Sequence, residues 1–311
     1  MNKRERIAVI GSGLMGHGIA QIFATRGHEV VVVDVHEAGL KTVHERIRAN
    51  LTTMAAHGVP FSEDYDTILE RVALSTKMAS ACAEVDFVIE AVYEDMALKQ
   101  RIFAELDQIC PPTTILCSNT SVMSITEIAS QAQQRERIVG THFWNPPYLI
   151  PLVEVVKGND TALAVVDATY ELLKQAGKHP VKVYRDVPGF VGNRLQHALW
   201  REAFAIIDEG ICDPATVDEC IRYGPGLRWP ILGPVENADM VGLDLTKAIH
   251  DYILPHINAA PTPSTTLQEH VANNKLGFKS GGGFMEWPQE QQEASRQRLL
   301  SYLLRHHAEN K

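Results

Sequence analysis

The chain has no run of about eighteen consecutive apolar residues, the length that a helix needs to cross a bilayer. Its opening, Met1-Asn2-Lys3-Arg4-Glu5-Arg6, leads into Ile7-Ala8-Val9-Ile10-Gly11 without the apolar stretch or small-residue cleavage site of an export signal. A cytoplasmic protein without a membrane partner is expected. Basic clusters are missing too: Lys+Arg 29 against Asp+Glu 38 gives a net charge of −9, so no surface is set up to neutralise a phosphate backbone, and nucleic acid is not an expected partner. Cysteine is scarce. The five present (Cys82, Cys110, Cys117, Cys212, Cys220) are odd in number and include no C-x-x-C pair, which argues for reduced thiols and against a disulfide framework or a metal site. Neither an internal repeat nor a low-complexity tract occurs. With 311 residues, 45% of them apolar, the chain can bury two cores of ordinary size, and two domains are expected.

What is present begins at once. Ile7 to Ile10 is a short apolar run, followed by Gly11-Ser12-Gly13-Leu14-Met15-Gly16, a helical pattern to Gly27, and a second apolar run, Val30 to Val33, that ends in Asp34. This is G-x-G-x-x-G in its meaningful context of strand, tight turn, helix, strand and acidic residue, which implies dinucleotide binding. Gly11 permits the turn, Gly13 lets a pyrophosphate approach the backbone, and Gly16 allows close packing of helix on strand. Asp34 suits a ribose diol and repels a 2′-phosphate. His36 and Glu37 follow it and no arginine does, so NAD is expected rather than NADP.

Further strands are expected at Val72 to Leu74, Phe87 to Val92 and Thr114 to Cys117, alternating with helical stretches, as in a doubly wound parallel sheet. The long segment from Glu37 to Arg71 reads as a helical hairpin turning near His57-Gly58-Val59-Pro60. Glu94 and Lys99 follow the fourth strand, placed either to contact a nicotinamide ribose or to form a solvated pair at a helix start. Leu14, Met15, Ala91 and Asn119 complete the expected cofactor contacts. Ile138 to Thr141 and Leu152 to Val156 are two more strands, separated by Asn145-Pro146-Pro147. That puts His142 at a strand end and Glu154 on the next strand. If the two strands are neighbours, the carboxylate accepts the Nδ1–H of the imidazole, fixes the tautomer and leaves Nε2 free as a general base. The plain alternative is a satisfied core or surface histidine. Ser118, Asn119, Thr120 and Ser121 offer hydroxyl and amide groups to the oxygen being deprotonated.

After a last strand, His179 to Tyr184, the chain changes character at Pro188-Gly189. Helical patterns follow at Leu195 to Asp208, Pro214 to Arg222, Asn237 to Leu254 and Leu267 to Asn273, and Pro288 opens a final helix. The expected division is a nucleotide-binding domain over 1–187 and an all-helical domain over 188–311. Leu299, Leu300, Leu303 and Leu304 form an apolar stripe that packs either on its own domain or against a second copy.

Taken jointly, I-A-V-I-G-S-G-L-M-G-H-G-I-A-Q, F-V-I-E-A-V-Y-E-D, S-N-T-S-V-M-S-I-T-E-I-A, G-T-H-F-W-N-P-P, L-V-E-V-V-K-G, D-V-P-G-F-V-G-N-R and L-G-P-V-E-N-A-D-M-V-G-L-D resemble the 3-hydroxyacyl-CoA dehydrogenase family, from Ile7 to about Trp287. The resemblance implies a Rossmann domain, a helical C-terminal domain that forms a homodimer, and hydride transfer to NAD, from the carbon that carries a 3-hydroxyl, in a cleft between the domains. It assigns the catalytic histidine and its glutamate partner to His142 and Glu154, and the residues that hold the substrate oxygen to Ser121 and Asn193, the latter arriving when the domains close. The β-hydroxyacid dehydrogenases share the opening glycine motif, but the lysine expected of them is absent from Asn193 to Asp208.

Departures from the family bear on the substrate. Its hairpin carries lysines that meet the nucleotide end of CoA, whereas Leu51 to Glu70 here has neither Lys nor Arg and has Glu63, Asp64, Asp66 and Glu70. The usual H-F-F-N-P is H-F-W-N-P, and Arg228 and Trp229 stand in a loop where small residues are common. Three readings follow: an acyl-CoA dehydrogenase, a dehydrogenase of a small free hydroxy acid resembling carnitine and gulonate dehydrogenases, in which Arg228 grips a carboxylate or else makes an ordinary ion pair, and a non-catalytic NAD-binding protein.

Overall fold

The computed structural model describes residues 4–309. The first three residues, part of the amino terminus read above as lacking an export signal, and the last two lie outside the described residues. Eight strands form one sheet: β1 (Arg6–Ile10), β2 (Glu29–Val33), β3 (Val72–Ser75), β4 (Phe87–Glu90), β5 (Ile115–Ser118), β6 (Ile138–Phe143), β7 (Leu152–Val156) and β8 (His179–Val183), in the order β3-β2-β1-β4-β5-β6-β7-β8. Neighbours are parallel except β6 and β7. The exception has a local cause: a short proline-containing connection can reverse the chain but cannot carry a parallel crossover. The order turns back on itself between β1 and β4, so the carboxyl ends of these strands open a crevice of the kind in which nucleotides bind.

Strand alternation sorts the core into two layers. Ile7 and Val9 join a cluster with Ile19, Phe23, Ile47 and Leu173, on one face, while Ala8 and Ile10 join Val88, Phe103, Leu106 and Leu116 on the other. The hairpin after β2 is real: helix Val43–Ala56 turns at Gly58, with φ +84, and leads through Asp64, whose side chain caps helix Tyr65–Glu70.

The described residues form two compact units, one holding the chain through Arg194 and again from Leu299, the other running from Leu195 to Arg298. This divides the expected helical domain, 188–311, differently. The reason is the apolar stripe of the last helix, Gln289–Glu309: Leu304 is fully buried against Met54, Val59 and Leu149, with Leu300 and Leu303 beside it, so the end of the chain packs on the nucleotide-binding unit. Helices are the regular elements of the second unit, with isolated bridges joining Gly277, Gly282 and Glu286. Its expected helix Asn237 to Leu254 is two helices, Pro234–Val241 and Leu243–Ile253, because Gly242 takes φ +99 and breaks the run. No helix among the described residues is long and apolar enough to cross a membrane.

Candidate active site

The glycine turn between β1 and helix Leu14–Ala24 is built so that only glycine fits. Gly11 has φ +108, and a Cβ there would lie 2.6 Å from the Ala91 carbonyl oxygen; a Cβ on Gly16 would lie 1.8 Å from the carbonyl oxygen of Gly11. Gly13 differs, because a Cβ there meets nothing within 4 Å. It also starts the helix with no side-chain cap, so first-turn N–H groups remain for an anion in that open space. The residues fit a dinucleotide pyrophosphate. At the end of β2, Asp34 Oδ2 accepts from Ser12 N at 2.8 Å and Ser12 Oγ at 2.7 Å, and Oδ1 accepts from His36 N at 2.9 Å. Burial would push this carboxyl up, but the His36 and Ser12 donors outweigh it, so it stays below the usual range and charged.

At the other end of the sheet, His142 is the fifth residue of β6 and pairs in register with Glu154 of β7. The antiparallel register puts both side chains on one face, and His142 Nδ1 lies 2.8 Å from Glu154 Oε2. The other oxygen, Oε1, accepts from Val191 N at 2.9 Å and Gly192 N at 3.0 Å. Burial acts to raise the Glu154 pKa, but the His142 ring and these two N–H groups hold it below the usual range. The carboxylate thus stays ionised and acceptor-only, which makes Nδ1 the donor and leaves the lone pair on Nε2. Aromatic rings wall the imidazole: Trp144 at 5.3 Å and Phe190 at 5.8 Å between centroids. Phe190 is buried at φ 51, a left-handed conformation costing about 1–3 kcal/mol at a non-glycine residue. Neighbouring Gly192 makes room for Trp144, since a Cβ there would lie 2.6 Å from the indole.

Residues 6–187 match the family model described as 3-hydroxyacyl-CoA dehydrogenase, NAD binding domain, and residues 189–287 the one described as 3-hydroxyacyl-CoA dehydrogenase, C-terminal domain. The chain belongs to the 3-hydroxyacyl-CoA dehydrogenase family. It is an NAD-dependent oxidoreductase of that type. It is similar to 3-hydroxyadipyl-CoA dehydrogenase of Escherichia coli, 37% identical over 93% of this chain, and spans 60% of that relative's length. It is also similar to 5-formyl-3-hydroxy-2-methylpyridine 4-carboxylate 5-dehydrogenase of Mesorhizobium japonicum, 33% identical over 93% of each chain. Among solved structures, an NAD+-dependent 5-formyl-3-hydroxy-2-methylpyridine 4-carboxylic acid 5-dehydrogenase superposes with a TM-score of 0.89 over 97% of each chain, at 32% identity. The (S)-3-hydroxybutyryl-CoA dehydrogenase of Ralstonia eutropha does so with a TM-score of 0.77 over 92% of this chain and all of that one, at 34% identity.

In this member of the 3-hydroxyacyl-CoA dehydrogenase family the loop after β5 is more tightly engaged than its sequence suggests. Ser118 Oγ donates to Glu90, and Thr120 Oγ1 donates to Glu94, so neither hydroxyl is left for a substrate. Asn119 Oδ1 accepts from Phe143 N at 2.9 Å, tying the loop to the strand that carries His142. Ser121 is exposed, and its hydroxyl makes no hydrogen bond to a described residue. Asn193 Nδ2 donates to the Ser121 carbonyl at 2.8 Å, and the two residues lie in the same compact unit, so this contact needs no closure of domains. Ala91 ends beside Gly11, its N–H donating to Ile10 O, whereas Leu14 is 62% exposed and Met15 packs against the core. Arg228 is exposed in the second unit.

One reading needs correcting. Glu94 and Lys99 are not a solvated pair: the Lys99 side chain is 1% exposed and is held by Glu90 and Glu94. An arginine from beyond the residues that follow Asp34 also comes near it. Arg46, on the following helix, donates to the carbonyls of Ser12 and Gly39, pinning that helix to the glycine turn. Sequence reasoning missed Arg46 and Glu90; the signal for Glu90 was a carboxylate inside the apolar run Phe87-Val88-Ile89-Glu90. Cys117, next to the site, is inert: burial pushes its thiol up to about 12. No cluster of metal-binding side chains occurs among the described residues.

Proposed function

We propose that the chain oxidises the 3-hydroxyl of a 3-hydroxyacyl-CoA to the ketone, with His142 as general base. The observation that carries this reading is the buried 2.8 Å bond between His142 Nδ1 and Glu154, which leaves Nε2 to take the hydroxyl proton. NAD, when bound, accepts the hydride from the adjacent carbon. The Ser121 hydroxyl and the second amide proton of Asn193 hold the substrate oxygen, and Glu154 stabilises the imidazolium that forms.

A second reading, a free carboxylated alcohol, is favoured by a particular observation. The hairpin has no lysine or arginine from Leu51 to Glu70, and part of it, Met54 and Val59, lies under Leu304 of the final helix. A CoA phosphate has little there to pair with, and the match to the pyridine-carboxylate dehydrogenase extends over 97% of both chains. In this reading Arg228 grips the carboxylate. NADH oxidation with acetoacetyl-CoA, free acetoacetate and a panel of small keto acids separates the two. Turnover of the CoA ester supports the first; turnover of a free acid alone supports the second, with a raised KM and unchanged NAD affinity expected of Arg228→Met.

We also propose a homodimer through the second unit. Ala205 is its one buried apolar residue among those described, while Leu195, Trp200, Ile231, Leu245, Ile249 and Tyr252 are exposed. So much open apolar surface calls for a partner, and a solution mass of about twice 34.5 kDa is expected.

A further inference from the structure

We propose that His17 and Arg46 are positioning residues for the cofactor, which aim the first N–H groups of helix Leu14–Ala24 by holding the carbonyls behind them. Arg46, on helix Val43–Ala56, donates through Nη2 to the Ser12 carbonyl, and to that of Gly39 at 3.4 Å. His17 Nδ1 lies 2.8 Å from the Gly13 carbonyl oxygen, which also accepts from His17 N at 3.3 Å. A carbonyl oxygen only accepts, so Nδ1 carries the proton and donates. A trans peptide is planar, with its N–H opposed to its C=O. Holding the Ser12 carbonyl therefore sets the direction of Gly13 N–H, and holding the Gly13 carbonyl sets that of Leu14 N–H. Ser12 is fastened from its other side as well, with its N–H at 2.8 Å and its Oγ at 2.7 Å from Asp34 Oδ2.

The residue types point past a plain staple between helices. Arg46 gives its hydrogen bonds to carbonyls, those of Ser12, Gly39 and Thr42, and the carboxylate that counters its charge is Asp34. A cation beside the positive end of a helix is unfavourable until an anion joins them. Arg46 Nη1 also lies 3.3 Å from His17 Nδ1; since both carry protons, the contact opposes an imidazolium. His17 is 4% exposed, and burial first, then Arg46, push its pKa below the ordinary value against the pull of the Gly13 carbonyl, so the ring stays neutral and keeps its donor on the turn. The arrangement is open on one side, in front of Gly13, where a Cβ would meet nothing within 4 Å. Aimed N–H groups and a nearby cation around open space suit the two phosphates of a dinucleotide. This inference rests on the reading of the glycine turn as the seat of the pyrophosphate.

The test uses the full chain with Arg46→Met, His17→Leu and His17→Asn, and needs no knowledge of the natural substrate. The affinity of NADH is read by fluorescence and those of ADP and adenosine by competition, beside thermal unfolding. Arg46→Met and His17→Leu should each bind NADH and ADP at least tenfold more weakly and adenosine within twofold of the parent. His17→Asn, whose amide nitrogen stands as many bonds from Cα as Nδ1 does, should recover most of the loss. An equal loss for adenosine and ADP would move the effect to the ribose at Asp34, and unchanged ADP affinity with a lowered melting temperature would reduce both residues to a structural role; either overturns the proposal. Should Arg46→Met fail to fold, Arg46→Gln must show the same loss selective for ADP. A parent chain that binds ADP no more tightly than adenosine would remove the reading of the turn itself, whereas a parent that prefers ADP and variants that keep the preference would remove this inference alone.

Discussion

Glu154→Gln is the substitution whose consequence the geometry fixes most closely. Glu154 accepts three hydrogen bonds, from His142 Nδ1 on one oxygen and from Val191 N and Gly192 N on the other. Glutamine offers one acceptor end and one donor end to the same three groups. Turning its amide nitrogen toward the two backbone N–H groups leaves both unpaired, at about 1–3 kcal/mol each. The amide therefore keeps its oxygen on Val191 and Gly192 and presents N–H to the imidazole. His142 must then accept at Nδ1 and carry its proton on Nε2, the wrong tautomer for a base. A general base is worth about 10²–10⁴-fold, so kcat should fall by that factor, about 3–5 kcal/mol of activation free energy. Because the retautomerised ring still makes its bond, folding stability should change by no more than about 1–2 kcal/mol. Steady-state NADH oxidation beside NADH fluorescence titration and thermal unfolding separates these effects. A variant with kcat within threefold of the parent would refute the reasoning, since it would show that the carboxylate does not set the tautomer.

Gly16→Ala puts a methyl group 1.8 Å from the Gly11 carbonyl oxygen, so the helix must lift from the turn, and NADH affinity should fall more than tenfold in a fluorescence titration. Arg137→Met breaks a buried pair with Asp107, 4% and 3% exposed, and should cost about 3–5 kcal/mol in denaturant unfolding. Burial tends to raise the Asp107 pKa, but Arg137 and the N–H groups of Gln133 and Gln134 hold it low, so its contribution is present above the unfolded value of about 3.9 and is lost as pH falls through the lower folded value. Without Arg137 the folded value rises, and acid unfolding should start at higher pH. Leu304→Ala empties a fully buried site between Met54, Val59 and Leu149 and should cost about 2–5 kcal/mol while sparing NADH affinity, which a melting curve with and without NADH reads directly.

The eight strands were legible because each is a short apolar run bounded by glycine, proline or polar residues, and boundaries moved by a residue or two. The pairing of His142 with Glu154 was legible for a stronger reason: Asn145-Pro146-Pro147 ends β6, and the short return leaves the next strand little choice but to lie antiparallel beside it. The solvated alternative for Lys99 failed, although a lysine at a helix start is ordinarily solvated, since only the fold reveals Glu90 beneath it. Arg46 belongs to a helix whose approach to the glycine turn follows from tertiary packing, not from spacing. Periodicity gave the leucine face of the last helix but could not say which surface covers it, and Gly242 breaks a helix that its neighbours would have continued.

The most direct test of the site is His142→Gln, followed by NADH oxidation with whichever carbonyl substrate the parent turns over. The account predicts a loss of at least about 10²-fold in kcat with NADH affinity within threefold. Retention of kcat within threefold would contradict it, because the proton would then reach the carbonyl oxygen from some group other than His142.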